Sequence, residues 1–198
     1  ANVLRNAIRH YRSNREAGLE TAVEASGKKG LGFFKFQGVK LSATHMVGDK
    51  PSYEDVERIA TSYIERFSAG EFDAVRVAYM RYESNARQVP ELLQLLPLQR
   101  EQDDEQESKG GASANYEFSP SSEELLANLI PLAIKSQLFQ CFNDAVVSEQ
   151  IMRMIAMKAA TDNARDLGRL LARQFNRARQ AQITTELTEI VSGAAALE

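Results

Sequence analysis

The sequence predicts an α/β domain with a partly parallel sheet, followed by one very long C-terminal helix. Three observations carry this. Apolar residues switch between strand and helix periods through the first half, a solvated acidic stretch separates the halves, and beyond Pro120 almost nothing interrupts the helical period. The chain has 198 residues, 43% hydrophobic and 26% charged, with 24 Lys+Arg against 27 Asp+Glu and a formal net charge of -3. That balance is typical of a globular protein. It excludes a generally basic nucleic-acid coat but allows a local basic stripe. The one cysteine, Cys141, forbids an internal disulfide and fits a reducing compartment. No uninterrupted apolar run approaches the ~20 residues needed to span a bilayer, and the first residues lack a signal-peptide pattern. Any membrane is therefore expected to be met through partners.

Taken in order, Val3, Leu4, Ala7, Ile8 and Tyr11 recur at helical spacing between Asn2 and Glu16, with Arg5, Arg9, Arg12 and Arg15 on the other faces. The helix is expected to stop at Gly18. A strand fits Leu19 to Ala25, then Gly27-Lys28-Lys29-Gly30 reads as a strand-to-helix turn before the aromatic patch Phe33, Phe34 and Phe36. A second strand fits Val39 to Val47. Ser52 can cap a helix, with Asp55 three residues on and Val56, Ile59, Ala60, Tyr63, Ile64 and Phe67 at its i+3/i+4 positions. Gly70 ends it. A third strand over Asp73 to Glu83 puts Val75, Val77 and Tyr79 on one face, and the aliphatic run Leu92 to Leu98 closes the unit. Strands separated by helices imply an α/β layer. The expected organisation is 1–98 as the α/β domain, 99–120 as a solvated acidic loop without an EF-hand ligand pattern, and 121–198 as the long helix.

That last helix starts at a capping box, Ser121-Ser122-Glu123-Glu124, and meets only Pro131 and Gly168 as weakening residues before Ala195. About 73 residues at the α-helical rise extend roughly 110 Å, roughly three times the width of the body that the first half could form. Most of it is expected to project. Ala160, Ala164, Leu167, Leu171, Phe175 and Ala178 recur at steps of four and three, and Ile183, Leu187 and Ile190 are read as continuing this seam. Such a seam wants a partner helix. On another face Arg165, Arg169, Arg173 and Arg177 follow one another at i+4, with Arg179 close by and only Asp162 and Asp166 near enough to offset their repulsion. An acidic partner would relieve the stripe. Nucleic acid is not expected, because the stripe lacks stacking aromatics and its flank turns acidic at Glu186 and Glu189.

Catalytic chemistry is not legible. His10 and His45 lie in separate segments, with one cysteine, so neither a zinc site nor a Cys/His nucleophile is in reach. Gly27-Lys28-Lys29-Gly30-Leu31-Gly32 has neither the interior length and Lys-Ser/Thr of a P-loop nor the spacing of a dinucleotide fingerprint. His45 reads as a packed strand residue, and Met152, Met154 and Met157 as seam and packing residues rather than a cofactor box. The chain is assigned no catalytic residue, no metal and no cofactor.

The tail Met157-Lys158-Ala159-Ala160-Thr161-Asp162-Asn163-Ala164, and then Asn176-Arg177-Ala178-Arg179-Gln180-Ala181-Gln182-Ile183-Thr184-Thr185-Glu186-Leu187-Thr188-Glu189-Ile190-Val191-Ser192-Gly193-Ala194-Ala195-Ala196-Leu197, closely resembles the C-terminal end of the gamma subunit family of F-type ATP synthases. Gly27-Lys28-Lys29-Gly30 with Phe33-Phe34, Gly48-Asp49-Lys50-Pro51, and Gln88-Val89-Pro90 leading to Leu95-Leu96-Pro97-Leu98 extend the similarity.

The resemblance implies a Rossmann-like α/β domain and half of an antiparallel coiled-coil shaft. It implies a non-catalytic rotor of the central stalk, which couples rotation of the membrane c-ring to conformational change at beta-subunit catalytic sites. The implied partners are the alpha and beta subunits, epsilon, the c-ring and the N-terminal helix of the same subunit. The implied location is peripheral, on the cytoplasmic face of the bacterial inner membrane. By motif, Arg179, Gln180, Thr184 and Glu189 are implied as the catch with a beta-subunit loop, and Val191 to Leu197 as the end turning in an apolar sleeve. The arginine stripe is implied to pass acidic beta loops, and Tyr116 and Phe118 to face the membrane ring. Family members begin with a long helix and a first strand before the point where Ala1 stands, so this chain is expected to lack both and to aggregate when alone. Two rivals stand beside this reading: a coiled-coil scaffold or adaptor, and an α/β nucleotide enzyme with a helical extension.

Overall fold

The computed structural model describes residues 2–98 and 121–196, in the order α1 (Asn2–Glu16), β1 (Val23–Ser26), α2 (Lys28–Phe36), β2 (Leu41–His45), α3 (Tyr53–Ser68), β3 (Val75–Tyr82), β4 (Gln88–Leu96) and α4 (Ser122–Ala195). Tyr116, Phe118 and the acidic stretch lie outside the described residues. The chain divides into two units, Ala1–Glu149 and Gln150–Glu198.

α1 spans the expected residues: Ile8 is buried, Leu4, Ala7 and Tyr11 pack around it, and Arg5, Arg9, Arg12 and Arg15 are exposed. Gly18 follows at φ 75°, a conformation that favours glycine. β1 begins later than the period suggests. Leu19 N–H is used to close the end of α1 on the Asn14 carbonyl (2.9 Å), and Asn14 Nδ2 donates to Thr21 Oγ1 (3.2 Å), so residues 19–22 serve as connection. At Gly27 (φ 87°) the chain turns from strand into helix, and Gly27 N–H donates to the His45 carbonyl at the end of β2 (3.1 Å). The aromatic patch is part of α2, a nine-residue helix that buries Phe34 and leaves Phe36 exposed. β2 is also shorter than expected, because Val39 N–H is spent on the Phe34 carbonyl at the end of α2 and β1 ends opposite His45.

α3 starts where Ser52 Oγ accepts from Asp55 N–H (3.1 Å), and Gly70 at φ 75° follows its end. The strands form two separate two-stranded sheets: β1 and β2 pair in parallel, β3 and β4 antiparallel. A partly parallel layer is thus realised as one parallel and one antiparallel pair. Each pair feeds its own core. Val56, Ala60, Leu95, Leu96, Ile134 and Leu138 form one, with Val75, Val77, Tyr63 and Phe139 packed against it. Ile8, Ala25 and Phe34 form the other.

α4 begins with Ser121 Oγ accepting from Glu124 N–H (3.4 Å) and continues through Pro131. Among the described residues it is the one helix long and apolar enough, by length and composition alone, to cross a membrane. The absence of a long apolar run did not reveal this, because polar residues such as Asn128, Lys135 and Gln137 interrupt a stretch that is nonetheless apolar on average. Several residues of this helix pack inside the protein instead. Ile134 and Leu138 enter the first core, Lys135 Nζ meets Glu57 Oε1 of α3 (2.8 Å), and Phe139 sits edge-on to Tyr53 (5.5 Å). Cys141 is buried there too, and desolvation, then the charges of Asp144 and Glu91, push its thiol up to about 12. It is a packing residue, not a nucleophile.

Candidate partner-binding surface

In the second unit every residue from Met152 to Ala196 is exposed. An α-helix advances about 100° per residue, which fixes how its side chains group. Ala160, Ala164, Leu167, Leu171, Phe175 and Ala178 share an arc of about 80°. Leu167, Leu171 and Phe175 stand 55%, 54% and 66% exposed on that arc. Ile183, Leu187 and Ile190 do not extend it: the five-residue step from Ala178 to Ile183 rotates the apolar face by about 140°. The seam read as continuous is therefore two faces in succession.

Arg165, Arg169, Arg173 and Arg177 wind across about 120° of the circumference over about 18 Å. Arg165 Nη1 lies 3.9 Å from Asp162 Oδ1, and Arg169 Nη1 3.4 Å from Asp166 Oδ1. Among the described residues no carboxylate pairs with Arg173, Arg177 or Arg179, so the stripe's neutralised end is the N-terminal one. Gln180 and Thr184 share a face, one turn apart, where the Thr184 hydroxyl donates to the Gln180 carbonyl (2.9 Å). Arg179 lies about 100° around the axis from Gln180, and Glu189 about 140° from Thr184. The four residues thus form a collar round about three turns, not one patch. Met152, Met154 and Met157, expected as seam and packing residues, are exposed on this helix and do not pack within the chain.

A polar cluster elsewhere escaped the sequence. Glu24 of β1 accepts from His45 Nε2 of β2 (2.9 Å) and Tyr63 OH of α3 (2.7 Å) on one oxygen, and from Arg66 Nη1 (3.1 Å) on the other. Arg66 Nε also donates to Glu71 Oε2 (2.8 Å), and its guanidinium lies over the Phe72 ring (5.1 Å). Because a carboxylate only accepts, His45 must carry its hydrogen on Nε2. Burial alone would raise the Glu24 carboxyl, but the bonds from His45, Tyr63 and Arg66 outweigh it and hold it below the ordinary range. Burial, then the Glu24 hydrogen bond, push the Tyr63 hydroxyl upward. The three partners lie 21 to 42 residues from Glu24 in the sequence; the parallel pairing of β1 with β2 brings His45 to it, and α3 supplies the other two. Among the described residues no group of three or more His, Cys, Asp or Glu could hold a metal ion.

Comparison with known proteins extends over the whole chain. The ATP synthase family model matches residues 1–197. The ATP synthase gamma chain of Rhodopirellula baltica is 41% identical over 202 residues, covering 100% of this chain and 68% of that protein. Among solved structures, a chain of the Euglena gracilis mitochondrial ATP synthase rotor is similar at TM-score 0.53 and 16% identity, over 92% of this chain and 71% of the other. A chain from the same synthase in another rotational state gives TM-score 0.58 and 19% identity, over 96% and 67%. The structural likeness supports the fold, and the sequence match settles the family: this chain belongs to the ATP synthase gamma chains.

Proposed function

We propose that this chain acts as the central-stalk rotor subunit of a proton-translocating ATP synthase, itself non-catalytic, within a peripheral membrane-associated complex on the cytoplasmic face of the bacterial inner membrane. The observation that carries the reading is the run Met152–Ala196, helical through Ala195 and exposed at every position, with an apolar arc and a basic stripe on different faces. An exposed arc of that kind is stabilised only by covering it. The N-terminal helix of the same subunit would cover the 160–178 arc, and acidic loops of beta subunits would meet Arg173 and Arg177, the stripe residues without an internal carboxylate. Rotation of such a helix changes which of its faces each beta subunit meets. That biases each subunit between open and closed nucleotide-site states by differential contact.

The collar of Arg179, Gln180, Thr184 and Glu189 would act as the catch, engaged by different subunits at different angles because its members point in different directions. Alpha, epsilon and the c-ring complete the proposed partners, the α/β body facing the latter two. The test is affinity purification of the tagged chain from membranes. Co-purification of alpha, beta, epsilon and the c-ring supports the assignment, whereas a self-dimer by size-exclusion with light scattering, with none of these bound, overturns it in favour of a scaffold.

A further inference from the structure

We propose that Glu24, His45, Tyr63 and Arg66 form a proton-sensitive clasp that ties the parallel pair β1–β2 to α3 and tightens when His45 is protonated. The argument starts from the two cores. β1, α2 and β2 belong with α1 to one, while α3 belongs with β3, β4 and α4 to the other. Glu24 and His45 come from the first set and Tyr63 and Arg66 from the second, so their bonds of 2.7 and 3.1 Å cross between the two. The Glu24 side chain is 14% exposed and His45 26%, so solvent screens the pair only partly.

The charges set the direction. The groups facing His45 are Glu24 from β1, Tyr63 and Arg66 from α3, and, through Arg66, Glu71 from the segment after α3. With His45 neutral the cluster holds two carboxylates against one guanidinium. Proton uptake on Nδ1 evens the count and makes the 2.9 Å bond to Glu24 charge-assisted, about twice as strong as a neutral one. Arg66 sits on the other Glu24 oxygen, so the two cations are held apart by the carboxylate they share. Histidine is the side chain whose charge changes within the physiological range.

The test is hydrogen exchange read by mass spectrometry on the assembled synthase at about pH 6 and about pH 8, corrected for intrinsic rates. Peptides over β1, β2 and the second half of α3 should gain about fivefold protection at the lower pH, while β3 and β4 should not. His45→Gln keeps a donor without a titratable charge and should abolish that gain. Tyr63→Phe leaves the His45–Glu24 bond in place, so it should lower protection at both pH values and retain the gain. No gain in the parent complex, an undiminished gain in His45→Gln, or loss of the gain in Tyr63→Phe would each overturn the proposal. If His45→Gln does not assemble, the parent and Tyr63→Phe still decide it.

Discussion

Replacing Leu171 and Phe175 of α4 together with alanine separates a seam that awaits a helix from one that merely tolerates solvent. Both side chains are already more than half exposed, at 54% and 66%, so the truncation removes little packing from the chain itself. Its own stability should stay within about 0.5 kcal/mol, with alanine's helix propensity offsetting part of any loss. Covered by a partner, the same side chains would lose their remaining exposure. Fully burying a Leu or Phe is worth about 1.5–3 kcal/mol, so the fraction left here recovers about 1–2 kcal/mol for each and about 3 kcal/mol for the pair. That corresponds to about a hundredfold in affinity. The assay is titration of the chain with a separately expressed peptide of the partner helix proposed above, by calorimetry or fluorescence anisotropy. Leu170→Ala serves as control, since Leu170 is 44% exposed but lies about 100° from Leu171. An affinity within about threefold of the parent for the double variant, or equal damage from Leu170→Ala, would refute a partner helix on this arc.

Three further outcomes follow from the geometry. Ser52→Ala removes the acceptor for Asp55 N–H at the start of α3 and should cost about 1 kcal/mol; Ser52→Asp should recover most of it, both read by urea denaturation of the complex-bound and free chain. Because the Glu24 carboxyl is held below its ordinary value, its contribution to stability is present above that value and is lost as pH falls through the folded-state value. Glu24→Gln should therefore flatten the acid limb of a stability-versus-pH curve and cost about 1–3 kcal/mol at neutrality, and an unchanged acid limb would count against the cluster. Charge reversal at Arg173 and Arg177 should weaken coupling of ATP hydrolysis to proton pumping more than reversal at Arg165 and Arg169, which have Asp162 and Asp166 beside them. The difference should shrink as salt is raised, and equal, salt-independent effects would argue that no acidic partner meets the stripe.

What the sequence revealed depended on how locally each feature is encoded. α1 and α3 were legible nearly to the residue, because their apolar spacing and the Ser52 and Gly70 boundaries are local. α4 was legible as one element, since seventy-odd residues of helical period outweigh a single proline. Strand ends were not: β1 and β2 stop where their partner stops, and which residues pair is decided by the fold. The α2 helix was read only as a turn and a patch, because Gly30 and Gly32 within it lower its propensity. The basic stripe and its offset by Asp162 and Asp166 were visible in the spacing and are borne out by their contacts with Arg165 and Arg169, whereas the scatter of Arg179, Gln180, Thr184 and Glu189 about the axis follows only from the roughly 100° turn per residue. Glu24, His45, Tyr63 and Arg66 left no local signal at all, being brought together across two cores.

The rotation of the apolar face beyond Ala178 constrains what α4 can be packed against. A single straight helix lying on the 160–178 arc covers about a third of the circumference, and Ile183, Leu187 and Ile190 fall about 120–180° away from Ala178. These three are 48%, 58% and 69% exposed, and Val191 beside them 66%. One partner helix cannot bury both sets without crossing to the opposite side of α4 within five residues. The C-terminal turns therefore need an apolar surface distinct from that helix, one that accepts contact from another direction. The sequence there fits such a surface: Ser192, Gly193, Ala194, Ala195 and Ala196 are small, so the final turn offers a narrow, smooth profile rather than knobs for interlocking. Interlocking knobs would resist turning, whereas small residues allow apolar contact at any angle. On the proposed rotor reading, the change of face near Ala178 would mark where α4 passes from a fixed helix–helix contact to one compatible with rotation.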